Sequence, residues 1–173
     1  DGTTKEKLAS VKDSRYNILI VHRNYLYYSA TEYILTDKKD NTGKTKIDGQ
    51  TKIYRLALDK NNSEPEVFLE NADFGLSGTP IVTKMSAYGN HLIIYTEEAD
   101  ISDNGGSSIV VDNFPVFSVD VLTGKVTNIS DKVTELSKKE YPQKNILLDE
   151  VTYLDGKLLF RFLFLTDDDR TPG

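Results

Sequence analysis

Short runs rich in apolar, aromatic and β-branched residues, set off by turn-forming residues, recur along this chain and read as β-strands. "NILIVH" (17–22), "YLYYSA" (25–30), "TKMSAY" (83–88), "HLIIYT" (91–96) and "DEVTYL" (149–154) carry this signal. "GKLLFRFLFL" (156–165) is denser, seven of its ten residues being large and apolar. Such a run reads as a strand buried on both faces.

Three strand pairs are separated by dipeptides suited to tight turns: Arg23-Asn24, Gly89-Asn90 and Asp155-Gly156. Asn, Asp and Gly supply the positive φ values that two-residue hairpin turns require. Each site therefore predicts a hairpin. The leucine two residues beyond each turn is Leu26, Leu92 and Leu158, a spacing of 66 in both cases (92 − 26 and 158 − 92). A second kind of strand pair follows the first two hairpins: "TKIYRLAL" (51–58) with "EVFLE" (66–70), and "FPVFSVDV" (114–121) with "VTNIS" (126–130). The unit is then an inner hairpin, a long excursion and an outer hairpin.

Four antiparallel strands in that order are the pattern of a β-propeller blade. The predicted fold is all-β, a propeller-like repeat of four-stranded antiparallel blades within one domain spanning 1–173, with units at about 16–72, 80–130 and 146–173. The third unit is incomplete, so the chain reads as a fragment of two full blades and part of a third, with "LLFRFLFL" as a strand awaiting neighbours. A period of 66 exceeds the roughly 40–45 residues of an ordinary blade. The surplus lies at 31–50 and 97–113, both rich in loop-forming residues, although "EYIL" and "SIVV" are able to extend the flanking strands into a projecting hairpin.

These features resemble TolB-like and related bacterial propellers, including clostridial-type surface domains in which "GNxLYY" opens a strand and "IYRLDLDG" follows. The matching residues are Asn24-Tyr25-Leu26-Tyr27-Tyr28 with Ile53-Tyr54-Arg55-Leu56-Ala57-Leu58-Asp59, and Gly89-Asn90-His91-Leu92-Ile93-Ile94-Tyr95 with Val116-Phe117-Ser118-Val119-Asp120. The resemblance implies an extracytoplasmic or cell-surface binding or scaffold domain, often beside an enzyme domain.

Composition narrows the function classes. A net charge of −6 disfavours a nucleic-acid backbone or an anionic membrane as partner. No cysteine is present, which removes disulfides, CxxC redox chemistry and cysteine-rich zinc sites. No apolar run approaches the roughly 20 residues of a membrane helix. The first residues, "DGTTKEKLAS", lack a Met and fit a trimmed or mature terminus.

Candidate chemistry is sparse. "GLSGT" (75–79) approaches the G-x-S-x-G nucleophile elbow, but Thr79 stands in the last position and Pro80 opens a strand where a helix is required. The only histidines are His22 and His91, so a Ser-His pair would have to use one of them. "DISDNGG" (100–106) resembles a calcium loop, yet its twelfth position is Val111 where a bidentate Glu is needed. "DDD" (167–169) reads as a solvated tip. Glu97 and Glu98, as strand neighbours, point to opposite faces and do not form a glycosidase pair. Tyr25, Tyr27, Tyr28, Tyr54 and Tyr95 fall in strand patterns and are expected to pack between blades, while Tyr33 in the first insert is the better candidate for partner contact. "SDKVTELSKKEYP" (130–142) predicts a short capped helix connecting blades, with Val133 and Leu136 as its narrow apolar stripe.

No residue is assigned a catalytic, cofactor or metal role. The expected function is non-catalytic binding through the repeated inserts, with a protein or a cell-wall carbohydrate as partner, no nucleic acid, no membrane insertion, and self-association through the open sheet edge as a further expectation. The alternative is the propeller part of a hydrolase whose catalytic residues lie outside this chain.

Overall fold

The computed structural model describes residues 18–40, 43–59, 63–103, 107–142, 145–154 and 157–165. Four strands open the chain: β1 (Leu19–His22), β2 (Tyr25–Lys39), β3 (Thr45–Ala57) and β4 (Glu66–Glu70). Each pairs antiparallel with the next, forming a first four-stranded sheet. A single helical turn, α1 (Asn71–Phe74), leads to β5 (Thr79–Tyr88), β6 (His91–Asp103), β7 (Ser107–Asn113), β8 (Val116–Asp120) and β9 (Val126–Asn128). Here β6 pairs with β5 on one side, and with β8 and β7 in turn along the other, while β9 closes on β8. Helix α2 (Ile129–Glu140) then connects to the hairpin of β10 (Asn145–Leu154) and β11 (Lys157–Leu165).

The turn chemistry acts as expected. Arg23 has φ 55° and Gly89, at the matching place in the second hairpin, has φ 56°. A positive φ is free for Gly and strained for Arg, so the first turn is held against a local penalty. Its compensation is visible: the Arg23 guanidinium donates to Asn90 Oδ1 and, at 3.4 Å, to the Gly89 carbonyl, and His22 Nε2 lies 3.0 Å from that same carbonyl. The third turn, Asp155-Gly156, lies outside the described residues.

Strand registers of the two four-stranded sheets correspond position by position. Leu26 lies between Val21 and Leu56, and Leu92 between Ala87 and Val119. Tyr28 lies between Leu19 and Tyr54, and Ile94 between Met85 and Phe117. We call the side bearing Leu26 and Leu92 the back of each sheet and the side bearing Tyr27 and Ile93 its front. The front of the first sheet (Tyr27, Ile53, Leu69) packs on the back of the second (Met85, Leu92, Ile94, Phe117, Val119), forming the main core. The front of the second (Ile93, Tyr95, Val116) packs on Val151 and Phe160 of the last hairpin, with Ile129 of α2 at its border. The stack is tied across its second layer by Tyr95, whose hydroxyl accepts from Val151 N at 2.8 Å and donates to Val151 O at 3.1 Å.

The architecture is therefore all-β and mainly antiparallel. The nine-stranded sheet is open, running β1-β2-β3-β6-β8-β9 with β4, β5 and β7 as branches, and β10–β11 is separate from it.

Two expectations need correction. The inserts are not loops: 31–39 and 45–50 prolong β2 and β3, and 97–103 and 107–113 form the far part of β6 and β7, so each insert is a strand pair. Their many polar residues hide this, because cross-strand backbone bonds hold strands that carry only a few apolar residues. "VTNIS" is likewise not all strand. Asn128 Oδ1 accepts from Asp131 N at 3.3 Å and Ser130 Oγ accepts from Val116 N at 2.5 Å, so the helix begins at Ile129.

Candidate functional site

The two insert hairpins meet. Thr45, Lys46 and Ile47 of β3 pair antiparallel with Asp103, Ser102 and Ile101 of β6. Beneath this junction Ile81, Ala99 and Ile101 are buried, with Tyr33 and Ile47 packed against them. Close approach is enforced at Gly49, where a Cβ would lie 2.2 Å from Thr79 Cγ2. Gly49 N instead donates to Thr79 Oγ1 at 3.2 Å.

A cleft of about 450 Å³ opens at this crossing, between the insert strands and the segment from α1 to β5. Lys38, Lys46, Asp48, Asn71, Ser77 and Asp100 supply its polar groups, and Ile47, Leu76 and Ile101 its apolar ones. Lys46 Nζ lies 3.3 Å from Asp100 Oδ2, an exposed pair that links the two hairpins. Exposed pairs of this kind contribute roughly 0–1 kcal/mol, so the pair orients the wall more than it stabilises it.

The other wall is built from backbone bonds to side chains. Asn71 takes the place of a strand partner: its Oδ1 accepts from Thr51 N at 2.7 Å and its Nδ2 donates to Gly49 O at 2.7 Å. Asp73 Oδ2 accepts from Glu70 N at 2.7 Å, capping α1 at its start, and Gly75 ends it with φ 64°. In the following "GLSGT" segment, Ser77 N, Ser77 Oγ and Gly78 N all donate to Glu98 Oε1, at 3.0, 3.0 and 2.9 Å. One carboxylate oxygen therefore fixes the loop.

The structure does not bring the candidate catalytic residues together. Ser77 bonds to Glu98, whereas His22 contacts Gly89 and His91 Nδ1 lies 3.3 Å from Ser118 Oγ. His91 starts β6 and Ala99, beside the Ser77 loop, sits eight residues along it, about 26 Å of strand at ordinary rise. Glu97 and Glu98 are successive residues of β6. Asp100 to Asp103 of the calcium-like segment are extended strand, with Asp100 paired to Lys46, and Asn104 to Gly106 lie outside the described residues, as do Asp167 to Asp169. Among the described residues no group of three His, Asp or Glu is placed to hold a metal ion.

The strand tyrosines pack. Tyr27 meets Phe68 edge-on at 5.4 Å, Tyr28 stacks on Tyr54 at 5.2 Å, and Arg55 lies over both Tyr25 and Phe68 at 5.4 and 5.1 Å. Burial raises the Tyr27 phenol above its usual value, with the Arg55 charge opposing, and burial together with Tyr54 raises that of Tyr28. Tyr33, expected at a partner contact, is half-buried under the junction. Sequence reasoning missed Lys46, Asn71 and Glu98. Only the pairing of two distant hairpins brings them to one cleft, and no local pattern announces that pairing.

The fold and this cleft define a class of protein no narrower than an all-β chain with a polar surface cleft. Comparison of the chain with family models, curated proteins and solved structures yields no match.

Proposed function

We propose that this chain is a propeller-type module that binds a partner, without catalysis, in the cleft between its two insert hairpins. The units are those read from the sequence, at about 16–72, 80–130 and 146–173, and the resemblance to TolB-like propellers supplies the setting: a bacterial protein on the extracytoplasmic or cell-surface side. The front-to-back stacking of successive antiparallel sheets favours this reading, as does the 66-residue correspondence of registers. The observation that carries the binding role is the β3–β6 pairing, which joins two inserts distant in sequence around one polar cleft. A cleft mixing ammonium, carboxylate and hydroxyl groups with a few apolar walls suits a ligand rich in hydrogen-bonding groups, a cell-wall carbohydrate or a polar protein segment.

Co-sedimentation with purified bacterial cell walls tests it. Wild-type protein is expected to pellet with the walls. A Lys46→Ala/Asp100→Ala variant, whose changes are exposed and leave the core intact, should lose at least about tenfold in apparent affinity, the loss of one or two good polar contacts. Equal pelleting of variant and wild type, or no pelleting and no cleft-localised NMR shift with released wall fragments and peptides, would overturn the reading.

A further inference from the structure

We infer that the cleft takes a short zwitterionic peptide, its free ammonium against Asp48 and its free carboxylate against Lys38. The inference rests on the binding role proposed for the cleft and narrows it to one chemical class.

The cleft lies where β6 changes partner. Along one edge of β6, β3 is paired as far as Ile47 with Ile101 and β5 begins with Thr79 against Ala99, so the two strands part on either side of Asp100. The walls of this fork are fixed. A Cβ at Gly78 would lie 2.9 Å from the Ala99 carbonyl oxygen, so the loop already sits against β6 as closely as it can. Asn71 holds the backbone of Gly49 and Thr51 on one side, and Glu98 holds that of Ser77 and Gly78 on the other. A ligand entering such a fork needs little ordering of the protein around it.

Four charged side chains line the cleft: Lys38, Lys46, Asp48 and Asp100. Lys46 and Asp100 neutralise each other at 3.3 Å. Lys38 and Asp48 do not. Among the described residues neither the Lys38 ammonium nor the Asp48 carboxylate has a hydrogen-bond or ion-pair partner, and both residues are exposed. Opposite charges that share a cleft without meeting leave room between them for a ligand carrying the complementary pair. A purely anionic ligand would meet Asp48, a purely cationic one Lys38, and a neutral sugar would answer neither. The spacing suits a peptide. Asp48 is in register with Ile34, four residues from Lys38, which is roughly 13 Å of strand at ordinary rise and less across the bulge between Leu35 and Lys39. An extended tripeptide spans about 10 Å, and Ile47, Leu76 and Ile101 offer apolar contact along its length.

NMR titration with four probes tests it: unblocked trialanine, its N-acetylated form, its C-amidated form, and the neutral trisaccharide chitotriose. Unblocked trialanine should shift the amides of residues 46–48, 76–79 and 99–101. Blocking either end should weaken binding by about fivefold, the scale of one exposed charge-assisted contact. Two variants then assign the ends. Lys38→Ala should bind the amidated and unblocked peptides equally and still discriminate against the acetylated one, and Asp48→Ala should do the reverse. Both sites are exposed, and unchanged unfolding midpoints confirm that the variants fold. Peptide binding that ignores both end groups, or end-group preferences that survive the two substitutions, overturns the inference. Chitotriose shifting the cleft amides while trialanine does not would overturn the inference alone and leave the binding role standing. No cleft shift with any of the four probes removes both.

Discussion

The first and second four-stranded sheets are built to the same register and live in different surroundings. Met85 on the second sheet's back is 8% exposed, and Leu19 at the corresponding place on the first is 64% exposed. Leu92 is fully buried and Leu26 is not. Tyr28 and Leu56 on the first back are nonetheless buried, so the contrast is sharpest at its outer strands, at Leu19, Val21 and Val67. What differs is the neighbour: the second sheet has the Tyr27-Ile53-Leu69 front pressed on it, while no described sheet lies on the first. At these outer strands burial is set by the neighbouring sheet, and the apolar residues of a strand do not by themselves say whether they will be covered.

The sharpest way to break this comparison is to remove the same methyl groups from both sheets. Leu92→Ala deletes a fully buried side chain and should lower unfolding free energy by about 2–5 kcal/mol. Leu26→Ala, in a half-buried site, should cost about 1 kcal/mol or less. Urea denaturation of the two variants at a concentration where wild type is monomeric measures the difference. Equal costs would mean that the two positions are covered alike.

Much of this arrangement is legible in the residues. Each described inner hairpin falls where a turn dipeptide between two apolar runs places it, and Leu26 and Leu92 are each paired on both sides. The connector helix is legible too, because "SDKVTELSKKEY" is a polar run without Gly or Pro, although the cap is Asn128, outside that run. The site is another matter. The segment "TDKKDNTGKTKIDGQ" has no apolar period, and residues 45–50 within it are strand because their backbone pairs with Glu32 to Lys39. The Lys46–Asp100 contact spans 54 residues and exists only because Ile81, Ala99 and Ile101 hold the two hairpins together from below. Glu98 reads in sequence as one of two adjacent acids. Its role as the acceptor that fixes Ser77 and Gly78 depends on a loop whose shape local patterns do not specify.

A smaller difference lies in the turns. The second hairpin places Gly89 at positive φ and the first places Arg23 there. Gly89→Ala should destabilise by about 1 kcal/mol, since a side chain in the left-handed region costs roughly that much. Arg23→Gly relieves the same strain but loses the guanidinium contacts to Asn90 and the Gly89 carbonyl, both exposed. Its net effect should be the smaller of the two, and thermal unfolding of the pair reads it directly. An Arg23→Gly loss as large as that of Gly89→Ala would show that the link between the turns, more than backbone strain, sets the cost.

The outer turns differ in a way that pH exposes. In the second sheet Asp120 Oδ1 accepts from Leu122 N at 2.8 Å and Thr123 N at 3.1 Å, and these bonds hold its carboxyl below the ordinary value of 3.8. The corresponding position of the first sheet, Ala57, has no carboxylate to offer. Because the folded form binds its proton less readily than the unfolded form, the contribution of Asp120 is fully present above pH 3.8 and fades as pH falls through the folded value. Asp120→Asn keeps the acceptor oxygen and removes the titration. The stability gap between wild type and variant should therefore be constant from neutrality down to about pH 5 and close below about pH 4, within the range where carboxylates protonate. The Asp120 site is exposed, so the gap itself is the smallest effect of the three, best read from paired denaturation curves across the acid range. A gap that widens on acidification would mean that the turn is held by something other than the ionised carboxylate.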